Sequence, residues 1–316
     1  MLKPLLVLFA LLSLTSQISI AQAPTPVIVA GPPDEGFKDV YYGVQSGLFA
    51  KYGLDVQPRI VHGGAVVLAG LAGGSFDVAF TNLLPLLQAH SHGLPFQIIA
   101  PSTIFISERP QNEMIVAKDS SLRNARDLNG TTIGTQSLQD LNSVAMKAWI
   151  DKNGGDSSSV HIIEVPSVAA VAALTSHRID AMSLAEPLLT EALDTGKVRI
   201  FAKPQAAIAD RFQSQAFVAD SDYVATHTDA MVRFAKAMHE SAIYNNTHLA
   251  QTAGLVASFT SIPAGVITRT VRSLDGEYVT PGTIQPLIDF AAKYGMIPEK
   301  FPAEDIISSA ALKAPR

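Results

Sequence analysis

The feature that most limits what this chain can fold into is a strand–helix alternation that runs, pauses and runs again. Residues 27–30 are a short apolar run ended by Gly31-Pro32-Pro33, which is how a buried strand and its turn are written. Val40, Val44 and Leu48 then recur at helical spacing, with Gly47 and Gly53 as punctuation. Residues 54–58, 76–80 and 96–100 read as the next strands. Between them lie a small-residue helix over 65–72, closed by Gly73-Gly74, and a helix over 83–89 that Thr81-Asn82 is placed to cap. Such an alternation predicts an open α/β sheet with helices on both faces.

The rhythm restarts after a polar segment at 107–112. Strands are predicted over 114–117, 131–135, 160–165, 179–182 and 198–202. A long helix is predicted over 138–153, with Leu141, Ala145 and Trp149 on its apolar stripe, and another over 187–193. Residues 214–219 are again strand-like, and the remainder is mainly helical. Met231, Phe234, Ala235, Met238 and Ala242 share one face of a long helix there, and further helices are expected near 249–258, 263–272 and 283–293. Leu71 to Ala79 before Thr81-Asn82, and Leu174 to Met182 before Ala185-Glu186-Pro187, repeat one local grammar: a helix end, a turn, and a strand opened by an acid. That repetition fits two analogous lobes.

Lys3, an apolar run over 5–14 broken only by Ser13, and Ala21-Gln22-Ala23 together read as a signal peptide over residues 1–23, with cleavage after Ala21 as the alternative. The apolar run falls short of the ~20 residues that a spanning helix needs. Hydrophobic residues make up 47% and charged residues 16%, so a folded globular protein is expected. The formal charge is −5 and no basic patch is visible, which argues against nucleic acid as a partner. There is no cysteine, which excludes disulfides and thiolate catalysis. His90-x-His92 has no carboxylate cluster nearby, so no metal site is assigned. No Gly-x-Ser-x-Gly elbow, Gly-x-Gly-x-x-Gly fingerprint or phosphate loop occurs. No catalytic residue and no cofactor are therefore expected.

Four blocks carry a family resemblance: Gly47-Leu48-Phe49 with Tyr52-Gly53-Leu54-Asp55-Val56; residues 68–80, including Gly73 and Asp77; Asp127-Leu128-Asn129-Gly130-Thr131-Thr132-Ile133-Gly134; and Ala173-Leu174 through Ala185-Glu186-Pro187. In this order they resemble the periplasmic substrate-binding proteins of ABC importers, in the group that handles nitrate, sulfonates, taurine and thiamine precursors. The resemblance implies a two-lobed α/β fold of the type II periplasmic binding protein kind, with two open α/β sheets joined by two crossover strands. It implies a discontinuous first lobe over 24–108 and 213–316, a second lobe over 109–212, and a small-molecule solute in the cleft between them. It further implies a periplasmic monomer whose partner is the membrane permease of an ABC importer. Biosynthetic enzymes that make the thiamine pyrimidine share this fold, but the export signal and the missing catalytic motifs argue against that role.

Ligands of open parallel sheets bind beyond the carboxyl ends of strands. Those ends select residues 32–37, Thr81 and Asn82, Ser102 and Thr103, residues 135–140, and Ala185 with Glu186. Gln136, Ser137 and Leu138 open the long helix in this reading, so that free backbone amides would favour an anion. An ordinary cap at Ser137, with Asp140 completing a capping box, fits equally well. Phe37 and Tyr41 are candidates for apolar cleft surface. Lys38 and Arg109 read as ordinary exposed charges that are also placed to neutralise an acid. The expected ligand is a small organic anion, a sulfonate or carboxylate, held mainly by neutral donors. Glu186 conflicts with an anion unless it is engaged elsewhere, so a pyrimidine-like or amino-bearing solute is the alternative.

Overall fold

A computed structural model describes residues 23–313; the expected signal peptide lies outside them except for Ala23. The first run holds β1 (Thr25–Gly31), β2 (Leu54–Ile60), β3 (Val78–Asn82) and β4 (Phe96–Pro101). Next come β5 (Thr103–Ile106), β6 (Asn112–Ala117), β7 (Thr132–Thr135), β8 (His161–Glu164), β9 (Ala181–Ala185) and β10 (Val198–Ala202). The chain returns through β11 (Arg211–Gln213) and β12 (Gln215–Asp220), and adds β13 (Leu274–Asp275) late.

These strands build two five-stranded sheets, ordered β2-β1-β3-β12-β4 and β10-β6-β9-β7-β8, and a three-stranded sheet, β11-β5-β13. In each large sheet parallel pairs meet antiparallel ones, at β12 in the first and at β6 in the second. The two lobes are joined by β5 and β11, the outgoing and returning crossover strands, which pair antiparallel from Arg211 with Ile106 to Gln213 with Ile104. A polar segment at 107–112 therefore marks the passage between lobes.

Central strands with both faces covered are nearly continuous apolar runs, because neither face meets water. All six residues of β6 are buried, as are the first four of β3. On one face of the first sheet Val27, Phe80 and Phe217 pack with Met231, Phe234 and Met238 of the helix Thr228–Thr247. Leu83, Leu87, Phe96 and Ile288 cover the other face. Full burial stabilises a side chain such as Phe234 by about 1.5–3 kcal/mol over exposure.

The long helix of the second lobe is the main departure from expectation. It spans Leu141–Lys152, not 138–153. Asp140 is its N-cap, with a carboxylate that accepts the Ser143 amide at 2.9 Å. Aspartate is a strong N-cap, and residues 136–140 before it form no helix. This helix also serves both lobes. Met146 and Ile150 pack with Val116 and Ile133, while Val144 and Ala145 join Leu87, Ile284 and Ile288 of the first lobe. Across the same seam Tyr294 donates its hydroxyl to Asp151 at 2.8 Å, and Gln88 Nε2 donates to Gln139 Oε1 at 3.2 Å.

Candidate functional site

A cavity of about 360 Å³ lies between the lobes, lined by residues of both. Its walls come from the loops beyond β1, β3, β7 and β9, from the crossover at β5 and 109–112, and from a late segment between Val256 and Ser273. A more open groove of about 510 Å³ between the helices Lys38–Gln45 and Thr228–Thr247 is lined by Tyr42, Tyr244 and Lys51 among others and contains no strand-end residue. The strand-end residues therefore gather at the interlobe cavity and not at this groove.

Asn82, Thr103, Gln136 and Glu186 come together on that cavity's wall. Asn82 stands at the N-cap position of the helix Leu83–Ser91, but its side chain caps nothing. Its Oδ1 instead accepts from Gln215 Nε2 at 3.0 Å, which braces it along the wall. Thr103 is buried, and among the described residues its hydroxyl has no hydrogen-bond partner. An orphaned buried hydroxyl is costly, so one on a cavity wall marks a place where a bound solute would complete the bonding.

Five other expected residues are not on this wall. Phe37 is fully buried and stacks on Phe80 with ring centroids 5.5 Å apart, so it belongs to the core. Tyr41 stacks on Phe259 at 4.2 Å, behind the wall. Thr81 is buried and donates its hydroxyl to the Asn82 carbonyl at 3.2 Å. Ser137 Oγ accepts the Gln139 amide at 3.3 Å, and the Leu138 amide donates to Glu164 Oε1 at 3.0 Å. The expected anion site at a Gln136-Ser137 helix start is thus corrected: the helix starts later, and two of those amides are already bonded within the protein.

Other wall residues were reached only loosely by the sequence or not at all. Asp34 and Glu35 fall in the strand-end segment 32–37 without having been singled out. Asp140 falls in the strand-end segment 135–140, while Asn112 and Gln215 follow from topology. The late segment carries no strand-end signal.

Electrostatics of the cavity turn on which charges are already engaged. Glu186 Oε2 accepts the Thr190 amide at 3.0 Å, while Oε1 takes the Thr190 hydroxyl at 3.0 Å and the Val271 amide at 3.3 Å. Glu35 pairs with Arg272. Burial pushes the Asp34 carboxyl up against the pull of the Gly36 amide and Gln215. Burial likewise raises Asp140, opposed by the Ser143 amide. Arg109 lies on the wall and is exposed, and among the described residues no hydrogen bond or ion pair engages its guanidinium. Lys38 is no exposed charge: it is fully buried, with Nζ 2.7 Å from Asp275 Oδ1 and 3.0 Å from Ser273 Oγ.

Two open α/β sheets joined by two crossover strands around such a cavity define the two-lobed type II periplasmic binding protein fold. The periplasmic aliphatic sulphonate binding protein SsuA from Escherichia coli shares it with a TM-score of 0.75, over 90% of this chain and 92% of that one, at 17% identity. A putative aliphatic sulfonates-binding protein from Bacillus subtilis is 22% identical over 303 residues, covering 94% of this chain and 86% of that protein. A putative binding protein from Brucella abortus is 23% identical over 220 residues, covering 69% of this chain and 66% of its own length. The NMT1/THI5 like family model matches residues 35–249, and the chain belongs to that family.

Proposed function

We propose that this chain is an exported solute-binding protein that captures a small organic anion, a sulfonate or carboxylate, in its interlobe cavity and presents it to the membrane permease of an ABC importer. In this reading residues 24–108 and 213–316 form one lobe and 109–212 the other. The solute is held and released unchanged, so the protein is a carrier and not an enzyme, and it works as a monomer outside the cytoplasm.

One observation carries the sign of the ligand. The wall carboxylates of Glu35 and Glu186 are held by donors of the protein itself, whereas the guanidinium of Arg109 is unengaged among the described residues. The same cavity is lined by Thr103, whose hydroxyl is orphaned among the described residues, and by the amide-bearing residues Asn82, Asn112 and Gln136. An oxyanion satisfies such donors with charge-assisted bonds, which are stronger than neutral ones. Relatives named for sulfonates support the same class.

A second reading keeps the carrier role and changes the ligand. Asp34 and Asp140 also line the cavity, and a carboxylate favours an amine, so an amino-bearing or pyrimidine-like solute suits that side. Native mass spectrometry with a panel of sulfonates, carboxylates and amines separates the two. The proposal expects a reversible mass shift with anions and recovery of the solute intact. Binding restricted to amines would reverse the ligand class, and a chemically altered solute would make the protein an enzyme.

A further inference from the structure

Phe105 and Leu141 give the cavity part of its apolar lining, and one late segment gives another contiguous part. Val256 and Thr260 come from the helix Ala253–Thr260, Ile262 from the turn after it, and Ile267 from the short helix Ala264–Ile267. All lie beyond residue 249, where the family match ends. This wall is braced from behind, where Phe259 stacks on Tyr41 at an interplanar angle of 8°. It is also tied across the cleft: the Val271 amide donates to Glu186 Oε1 at 3.3 Å, and Arg269 Nη1 lies 2.6 Å from Asp194 Oδ2 of the second lobe.

The turn carries backbone strain at the point where the wall faces the cavity. Ser261, between Thr260 and Ile262, has φ of 62° and ψ of 12°. A left-handed conformation is uncommon for a residue with a Cβ, and it persists where the surroundings over-determine it. Here it ends one helix and turns Ile262 onto the cavity.

Resting on the carrier reading above, we propose that residues 253–273 are the specificity element of the cavity: an apolar wall that selects solutes whose polar head is joined to an aliphatic or aromatic body, and rejects small headgroup-only ions. The polar head occupies the Arg109 and Thr103 side, and the body displaces water from Val256, Ile262 and Ile267. A cavity of about 360 Å³ has room for both, being within the range of ordinary small-molecule sites. The family-matched stretch 35–249 carries the Arg109 and Thr103 wall, while this later segment sets the length and bulk of the accepted solute.

The test is calorimetric titration of linear alkanesulfonates from methanesulfonate to hexanesulfonate, into the wild type and Ile262→Ala. Ile262 is half-buried, and a melting curve checks that the variant is folded. The wild type should tighten about fourfold with each added methylene, since each CH₂ is removed from water. Ile262→Ala should weaken hexanesulfonate about tenfold and methanesulfonate less than about twofold. Equal affinity along the wild-type series overturns the wall, and so does a variant that weakens long and short solutes alike. If no sulfonate binds, the same series is run with alkylamines. Chain-length dependence there retains the wall and removes the anion reading, while no binding in either series removes both.

Discussion

Replacing Lys38 by methionine deletes the cation of a buried charge cluster while roughly preserving its volume. Lys38 and Asp275 have fully buried side chains, with Nζ 2.6 Å from Asp275 Oδ2. Asp39 adjoins them, accepting from Asn245 Nδ2 and itself buried. Burial pushes both carboxyls above the usual carboxylate range, Asp39 well above it, and Lys38 pulls both back down. Removing one partner of a buried pair leaves the other charge uncompensated, at a cost of about 3–5 kcal/mol, or on the order of 10 °C in melting temperature. Without Lys38 the folded-state pKa values of Asp39 and Asp275 rise further above their unfolded values. The variant's stability is then fully present below the unfolded carboxylate pKa and is lost as pH rises through the raised folded values. Its deficit against the wild type should therefore be largest at about pH 8 and shrink on acidification towards about pH 4. Lys38→Met/Asp275→Leu should recover part of the loss, because it removes the buried Asp275 charge that the methionine leaves uncompensated. Differential scanning calorimetry across pH measures this. A Lys38→Met protein as stable as wild type at about pH 8, or a deficit that grows in acid, would refute the buried pair as the origin of the effect.

Three further outcomes follow from the same geometry. Arg109→Ala should weaken anion binding about 10–100-fold and shift stability by less than about 0.5 kcal/mol, because the side chain is exposed and unengaged; titration and melting curves read the two effects separately. Thr103→Val should lower solute affinity about tenfold while leaving the melting temperature unchanged or raised, since it removes an orphaned buried hydroxyl. Asp39→Asn mimics the protonated acid, so its stability should match wild type in acid and exceed it increasingly as pH rises through the raised Asp39 value, as followed by urea denaturation at a series of pH values.

Much of the architecture was legible because strand and helix periods are local. The face Met231, Phe234, Ala235, Met238 and Ala242 was read from its spacing, and all five are buried. Strand ends led to Asn82, Thr103, Gln136 and Glu186, since topology places such ends at the cleft. Phe37 was misread because a strand-end position does not say which way a ring turns; Gly36 lets the chain fold tightly against Gln215 and Thr103, and Phe37 points back to Phe80. Ser137 was misread because Asp140, three residues on, is the better cap. Nothing local marks Lys38 as buried, because its partners Ser273 and Asp275 lie more than two hundred residues later. The wall from Val256 to Ile267 is not legible for the same reason: the helical pattern gives its helices, and only tertiary packing brings them over the cavity.

The most direct test of the account is a crystal structure of the mature protein with its co-purified solute. The predicted result is a small organic anion between the lobes, with an oxyanion within hydrogen-bonding distance of the Arg109 guanidinium and the Thr103 hydroxyl. A solute seated elsewhere, or one lying in this cavity with an amine against Asp34 and Asp140 and no anionic group near Arg109, would contradict it.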